Sequence, residues 1–157
     1  MGGTIKQTQT RIGHLPMKIY VDSSFDEKNL IAGIGLHIED GVKQRDISNW
    51  IPCNNNNFAE LWGIYLAAIL SNGKNCTIYT DSQVAIQYLT GNVKEKPRKQ
   101  SQYINHQQMK VLAYKVNRLK PLVEKVKAHS GRIERGYIGN QLADILSHQG
   151  RAKFYGR

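Results

Sequence analysis

Cysteine is scarce in this chain. Cys53 and Cys76 are the only two among 157 residues, too few and too isolated for a zinc framework or a stapled secreted scaffold. They read as reduced residues beside or inside strands, in a cytosolic setting. Long apolar runs are also missing: none approaches the roughly 20 residues needed to cross a bilayer, and the N-terminus lacks the apolar stretch of a signal peptide. A soluble, cytoplasmic protein with no membrane partner is expected. Acidic residues are few, 12 Asp and Glu against 22 Lys and Arg, which leaves a formal charge of +10. Such a field attracts polyanions, and phosphate contacts gain affinity from counterion release. No internal repeat or coiled-coil heptad is present. The length fits one domain, which at this size buries roughly two-thirds of its unfolded surface without help from disulfides or a structural metal.

What is present reads as three strands followed by alternating helices and strands. Residues 1–16 are polar and basic, end in Pro16, and read as a mobile arm or a leftover extension, with Met17 as an alternative start. From Lys18 the residues alternate, Ile19 and Val21 against Tyr20 and Asp22. Turn signals around Asp26-Glu27-Lys28-Asn29 and Glu39-Asp40-Gly41 then divide three strands of an antiparallel meander. Asn54 to Asn57 supply N-cap candidates for a helix from Phe58 to about Leu70. A strand over Cys76–Thr80, a short helix over Ser82–Leu89 and a longer one over about Gln102–Leu119 follow, the last with Ile104, Met109, Leu112 and Val116 as apolar positions. Leu122–Ala128 predicts a fifth strand. The final helix, about Tyr137–Gln149, places Ile138, Leu142, Ile145 and Leu146 at the spacing of a buried face. Residues 151–157 form a basic tail, expected to fray. His14, His37, His106 and His148 match no motif and are expected at the surface, while Trp50, Trp62 and Tyr65 are expected in or near the core.

Four acids occupy distinct local frames: Asp22 in Lys18-Ile-Tyr-Val-Asp22-Ser23, Glu60 in Asn57-Phe-Ala-Glu60-Leu61, Asp81 in Ile78-Tyr-Thr-Asp81-Ser82-Gln83, and Asp144 in Gly139-Asn140-Gln-Leu-Ala-Asp144. Singly, each has an ordinary explanation. Glu60 is a helix-start acid favoured by the dipole, Asp81 an N-cap, Asp144 a solvated helix residue and Asp22 a strand end. Their conjunction in this order is harder to explain without a shared role. Carboxylates crowded together cannot all stay ionised without a counter-charge, which a divalent metal supplies.

With His129-Ser130-Gly131 ahead of the last acid, the four frames resemble the active site of type 1 ribonuclease H, over about residues 17–149. The resemblance implies an α/β, RNase H-like fold over 17–150: a five-stranded mixed sheet, three antiparallel strands then parallel ones, flanked by helices. Its first strand lies beside the fourth in parallel, bringing Asp22 to Asp81. The implied activity is endonucleolytic hydrolysis of the RNA strand of an RNA/DNA hybrid, giving 5′-phosphate and 3′-hydroxyl products. Either a free-standing monomer or a domain of a larger reverse transcriptase fits. Such a site runs an in-line attack of water on a phosphodiester with two metal ions. Oxygen-only ligation favours Mg2+, with Mn2+ as a substitute, over zinc. Asp22 would bridge both ions, Glu60 and Asp81 would complete one shell, and Asp144 would serve the other.

The same resemblance gives His129 an assisting role in proton transfer or product release, and Asn140 a role in holding the site or contacting substrate. Ser23, Asn55, Asn56, Asn57, Ser82 and Gln83 correspond to its substrate contacts, where amides can meet a ribose 2′-hydroxyl or a base edge. Lys94, Lys96, Arg98 and Lys99, with Lys110 and Arg118 downstream, fall where many relatives carry a basic protrusion. Three places depart from the family pattern: Ser23-Ser24-Phe25-Asp26-Glu27 replaces a glycine-rich segment, Phe58-Ala59 precedes Glu60, and the connection over Arg132–Tyr137 is long. Two other classes compete. A binding module that kept the fold without turnover would have lost an acid, and a DNA-acting polynucleotidyl transferase would lack the Gly139-Asn140-x3-Asp144 helix after His129-Ser130-Gly131.

Overall fold

The computed structural model describes residues 16–93, 100–126 and 135–156. Strands β1 (Met17–Asp26), β2 (Ile31–Asp40) and β3 (Lys43–Pro52) form the antiparallel meander. Its turns place Leu30 at φ 51° and Gly41 at φ 66°; glycine adopts that left-handed conformation freely and leucine does not. Helix α1 (Asn56–Leu70), strand β4 (Cys76–Thr80), helix α2 (Gln83–Thr90), helix α3 (Gln100–Arg118), strand β5 (Leu122–Lys125) and helix α4 (Arg135–Phe154) follow. The sheet order is β3-β2-β1-β4-β5, with β4 parallel to both β1 and β5. The mixed five-stranded architecture is therefore present. The described part of the fifth strand ends at Lys125, short of Ala128.

β1 and β2 are buried along nearly their whole length because both faces of the sheet are covered. On one face Ile19, Val21, Ile34, Leu36, Ile38 and Ile78 pack with Leu61, Ile64 and Ala67 of α1, and with Met109, Leu112 and Val116 of α3. Ile104, at the start of α3, lies outside this core and is exposed. The other face carries α4. β3 forms one sheet edge, and its residues Lys43 to Asp46 are exposed and mostly charged, which discourages pairing with another chain.

α4 departs from the pattern expected of it. Ile138 and Ile145 are 43% and 52% exposed, whereas Gly139, Asn140, Ala143, Leu146, Ser147 and Gly150 are buried. The cause lies on β2. A Cβ at Gly33 would overlap the Ser147 carbonyl, and one at Gly35 would overlap the Ala143 carbonyl. The helix thus lies directly on strand backbone, and only small residues fit between. The basic tail is helical through Phe154. It is tied down by Arg151 Nη1, which donates to Ser24 Oγ at 3.0 Å, and by the Tyr155 hydroxyl, which donates to Asp26 Oδ2. Phe154 packs edge-on against Trp50 at 4.9 Å between ring centres.

His37 also departs from expectation. It is buried rather than on the surface, with Nδ1 2.7 Å from Asp46 Oδ1 and Nε2 3.4 Å from Glu39 Oε2. Its β2 position faces Tyr20 on β1 and Asp46 on β3, so cross-strand pairing supplies its partners. His106 is half-buried, its Nδ1 2.8 Å from the Tyr88 hydroxyl. Among the described residues no helix is long and apolar enough to cross a membrane.

Candidate active site

The parallel pairing of β1 with β4 aligns Val21 with Thr80, so the next residue of each, Asp22 and Asp81, emerge side by side at the same end of the sheet. Glu60 comes from α1 just past its first turn, because the helix opens at Asn56, two residues before the expected Phe58. Ligand oxygens of Asp22, Glu60 and Asp81 all lie within 4.8 Å of one another. Local chemistry fixes the entry of α1: Asn55 is the N-cap, and its Oδ1 accepts from the Phe58 N–H at 2.7 Å, a bond that satisfies one of the helix's orphan donors. The start of α2 is built likewise, with Ser82 Oγ accepting from the Ala85 N–H at 3.1 Å.

Adjacent residues of β1 serve opposite faces. Ser23 turns toward α1: its N–H donates to Glu60 Oε1 at 3.1 Å, and its hydroxyl lies between Glu60 Oε1 and Asn56 Oδ1, 2.9 Å from the latter. Asp22 and Ser24 turn toward α4. The Ser23 N–H also reaches Asp22 Oδ1 at 2.9 Å. Asp144, on α4, lies close enough to Asp22 to help raise its pKa. The group of acids therefore straddles the sheet, with Glu60 contributed from one covering layer and Asp144 from the other.

The electrostatics are those of crowded, dry carboxylates. Burial, then the Glu60 and Asp81 charges, push Asp22 up to about 9 from 3.8. Burial likewise raises Glu60, to about 7 from 4.5, against the lowering effect of its Ser23 hydrogen bond. Glu60 Oε1 is held by Ser23, whereas Oε2 is buried without a hydrogen-bond partner among the described residues. A buried anionic oxygen without a donor is costly. Clustered oxygen ligands, one unmatched oxygen and raised pKa values together fit a divalent cation, which would supply the missing positive charge.

The other expected site residues distribute as follows. Asn56 reaches the cluster through Ser23, while Asn57 and Gln83 are exposed near it. Asn140 is buried on α4, one turn before Asp144. Asp144 is the most exposed of the acids, its side chain 54% accessible. His129, Lys94, Lys96, Arg98 and Lys99 lie outside the described residues. Sequence reading missed Ser24, His148 and Arg151, which meet at the end of β1 beside Asp144. Their one legible signal was spacing: Asp144, His148 and Arg151 follow i, i+4, i+7 on one helix.

Comparison with known proteins identifies the family and the fold. The family model for RNase H matches residues 15–152. Among solved structures, the chain is similar to RNase H1 from the halophilic archaeon Halobacterium salinarum, at 18% identity and TM-score 0.66, covering 88% of this chain and 98% of that one. It is also similar to the protease-reverse transcriptase of prototype foamy virus, at 21% identity and TM-score 0.61, where the match covers 88% of this chain and 21% of that one. A third is the N-terminal RNase H domain of a Mycobacterium tuberculosis protein, solved as a fusion with maltose binding protein, at 16% identity and TM-score 0.58, covering 88% and 97%. No curated protein sequence matches the chain. The family match spans nearly the whole described fold and all four acids: this chain belongs to the RNase H family.

Proposed function

We propose that this chain hydrolyses the RNA strand of RNA/DNA hybrids endonucleolytically, with Mg2+ as its cofactor and Mn2+ able to substitute, leaving 5′-phosphate and 3′-hydroxyl ends. The observation that carries this reading is the convergence of Asp22, Glu60 and Asp81 within 4.8 Å, beside a buried Glu60 oxygen with no donor, in an RNase H family chain of charge +10. Asp22, Glu60, Asp81 and Asp144 would hold two divalent ions, with Asp22 shared. Bound there, the ions supply the charge that activates water and stabilises the departing 3′ oxygen.

The protein's own part is to present oxygens and hold substrate. Ser23 fixes Glu60 through Oε1, which leaves Oε2 as a ligand atom. The N-cap Asn55 sets the direction of the first turn of α1 and so the reach of Glu60. His129 assists proton transfer or product release. Ser23, Asn55, Asn56, Asn57, Ser82, Gln83 and Asn140 line the approach of the hybrid, and Lys96, Arg98 and Lys99 grip its phosphates. The domain, residues 17–150, works in the cytoplasm as a monomer or as part of a larger reverse transcriptase.

The test is cleavage of an end-labelled RNA/DNA hybrid in magnesium, beside DNA/DNA and RNA/RNA duplexes and the Asp81→Asn protein. Metal-dependent cuts confined to the RNA strand of the hybrid, and absent in the variant, are expected. Tight hybrid binding without cleavage in either metal would refute the catalytic reading.

A further inference from the structure

Beyond Asp22, β1 carries a chain of polar contacts that the three clustered carboxylates do not need. Ser24 is buried, and its side chain leaves the sheet on the same side as that of Asp22, toward α4. Its Oγ lies 3.1 Å from His148 Nδ1 and 3.0 Å from Arg151 Nη1. His148 Nε2 in turn faces Asp144 Oδ1 at 3.5 Å, one helical turn earlier. Arg151 also donates to the Phe25 carbonyl at 3.4 Å and pairs with Asp26 at 3.9 Å, so its end of the chain is anchored.

The Asp144 carboxylate beside Nε2 favours the tautomer with hydrogen on that nitrogen, and the groups around Ser24 accommodate it. A guanidinium only donates, so Arg151 occupies an acceptor lone pair of Ser24 Oγ, and the hydroxyl hydrogen is free to point at His148 Nδ1. An imidazole that accepts at Nδ1 carries its hydrogen on Nε2, the nitrogen that faces Asp144. At 3.5 Å this is an electrostatic contact more than a formed hydrogen bond. It biases the Asp144 rotamer without locking it. Asp144 needs such a bias most: it lies outside the 4.8 Å cluster, and its side chain is the most exposed of the four acids.

We propose that His148 is a positioning residue for Asp144, held as its Nε2–H tautomer between Asp144 and the Ser24–Arg151 pair, and that it sets how much divalent ion the site requires. The proposal rests on the reading of Asp144 as a metal ligand. Partners that orient a ligand affect metal affinity by tenfold or more where they are buried; the exposed His148 is expected to contribute about threefold to tenfold. The chemical step itself does not pass through it.

The experiment compares the full wild-type chain with His148→Ala, Ser24→Ala, the double variant and His148→Gln. Imidazole 15N shifts of the metal-free wild type, above the titration range of histidine, should show hydrogen on Nε2 of His148; hydrogen on Nδ1 overturns the proposal. Mn2+ binding is then read by electron paramagnetic resonance with a hybrid made uncleavable by 2′-O-methylation. Each alanine variant should bind Mn2+ threefold to tenfold more weakly with hybrid affinity unchanged; the melting temperature should be unchanged in His148→Ala and somewhat lower in Ser24→Ala, which also removes the acceptor for Arg151. The double variant should be no weaker than the weaker single one, and His148→Gln, which keeps a donor, should recover part of the loss. Unchanged Mn2+ binding in His148→Ala, or fully additive losses, overturns the proposal. A wild-type chain that binds Mn2+ but leaves a cleavable hybrid intact counts against the proposed activity alone, whereas one that binds no Mn2+ overturns both.

Discussion

Replacing Asp22 by Asn should make the metal-free protein more stable. In the folded chain Asp22 is pushed up to about 9 from 3.8, first by burial and then by Glu60 and Asp81. A group whose folded pKa is raised contributes its full stability below the unfolded pKa and loses it as pH rises toward the folded value. At about pH 7 the penalty relative to the unfolded chain, whose Asp22 follows the 3.8 value, has an upper limit of about 4 kcal/mol at 1.36 kcal/mol per pKa unit. Relaxation of the crowded site and its effective dielectric are expected to lower this to about 2 kcal/mol. Asn keeps the acceptor for the Ser23 N–H and carries no charge to bury. For a domain of this size, about 2 kcal/mol raises the melting temperature by about 4–8 °C. The assay is thermal unfolding in chelator at about pH 5, 7 and 8. The gain should grow with pH, and Mg2+ should raise the melting temperature of the wild type but not of the variant. A variant that melts lower than wild type by the same amount at every pH would refute the argument from crowded charge.

Other perturbations probe the scaffold and the substrate. Gly35→Ala places a methyl group against the Ala143 carbonyl; overpacking against backbone should cost about 3 kcal/mol, lower the melting temperature by about 6–12 °C and carry Asp144 away from Asp22. Calorimetry and a cleavage assay on the same sample would check both effects. Asn55→Ala removes the α1 cap and should cost about 1 kcal/mol, with a larger fall in kcat than in hybrid affinity because Glu60 follows directly on the turn that the cap holds. Neutralising Lys96, Arg98 and Lys99 together should weaken hybrid binding and make its salt dependence shallower by about two to three units of slope; binding titrations from low to moderate salt decide it, and an unchanged slope returns that stretch to a merely solvated role.

The sheet was legible because its signals are local. Alternation in Lys18–Asp22, turn residues at Asp26–Asn29 and Gly41, and the Asn run before Phe58 each act within a few residues, and each marks an element that is present. The parallel pairing of β1 with β4 came from the family resemblance, since nothing local distinguishes which strand Ile19 and Val21 will meet. The face of α4 was misread for a physical reason. Hydrophobic spacing favoured Ile138 and Ile145, but the distance between helix and sheet is set by Gly33 and Gly35, roughly a hundred positions away. Once that distance is short, small residues pack and large ones are turned outward. His37 was misread for a similar reason: its polar partner Asp46 reaches it only through the pairing of β2 with β3.

The site divides along the same line. Each acid sits in a local frame, in or just after a strand or within a helix, so sequence reading could single out all four as candidates without knowing how far apart they lie. What turns those frames into a site is the alternation of β1 itself. Ser23 points to one face and fixes Glu60, while Asp22 and Ser24 point to the other and meet the α4 residues. A one-residue slip of β1 against its neighbours would exchange these faces, sending Asp22 toward α1 and Ser23 toward α4. The register that gathers the acids and the core register are therefore the same constraint, since the slip that misplaces Asp22 also pulls Ile19 and Val21 out of the core. For that reason a substitution that loosens the β1 register, even far from the acids, should lose metal binding and core stability together, whereas Asp22→Asn separates the two by losing the first and gaining the second.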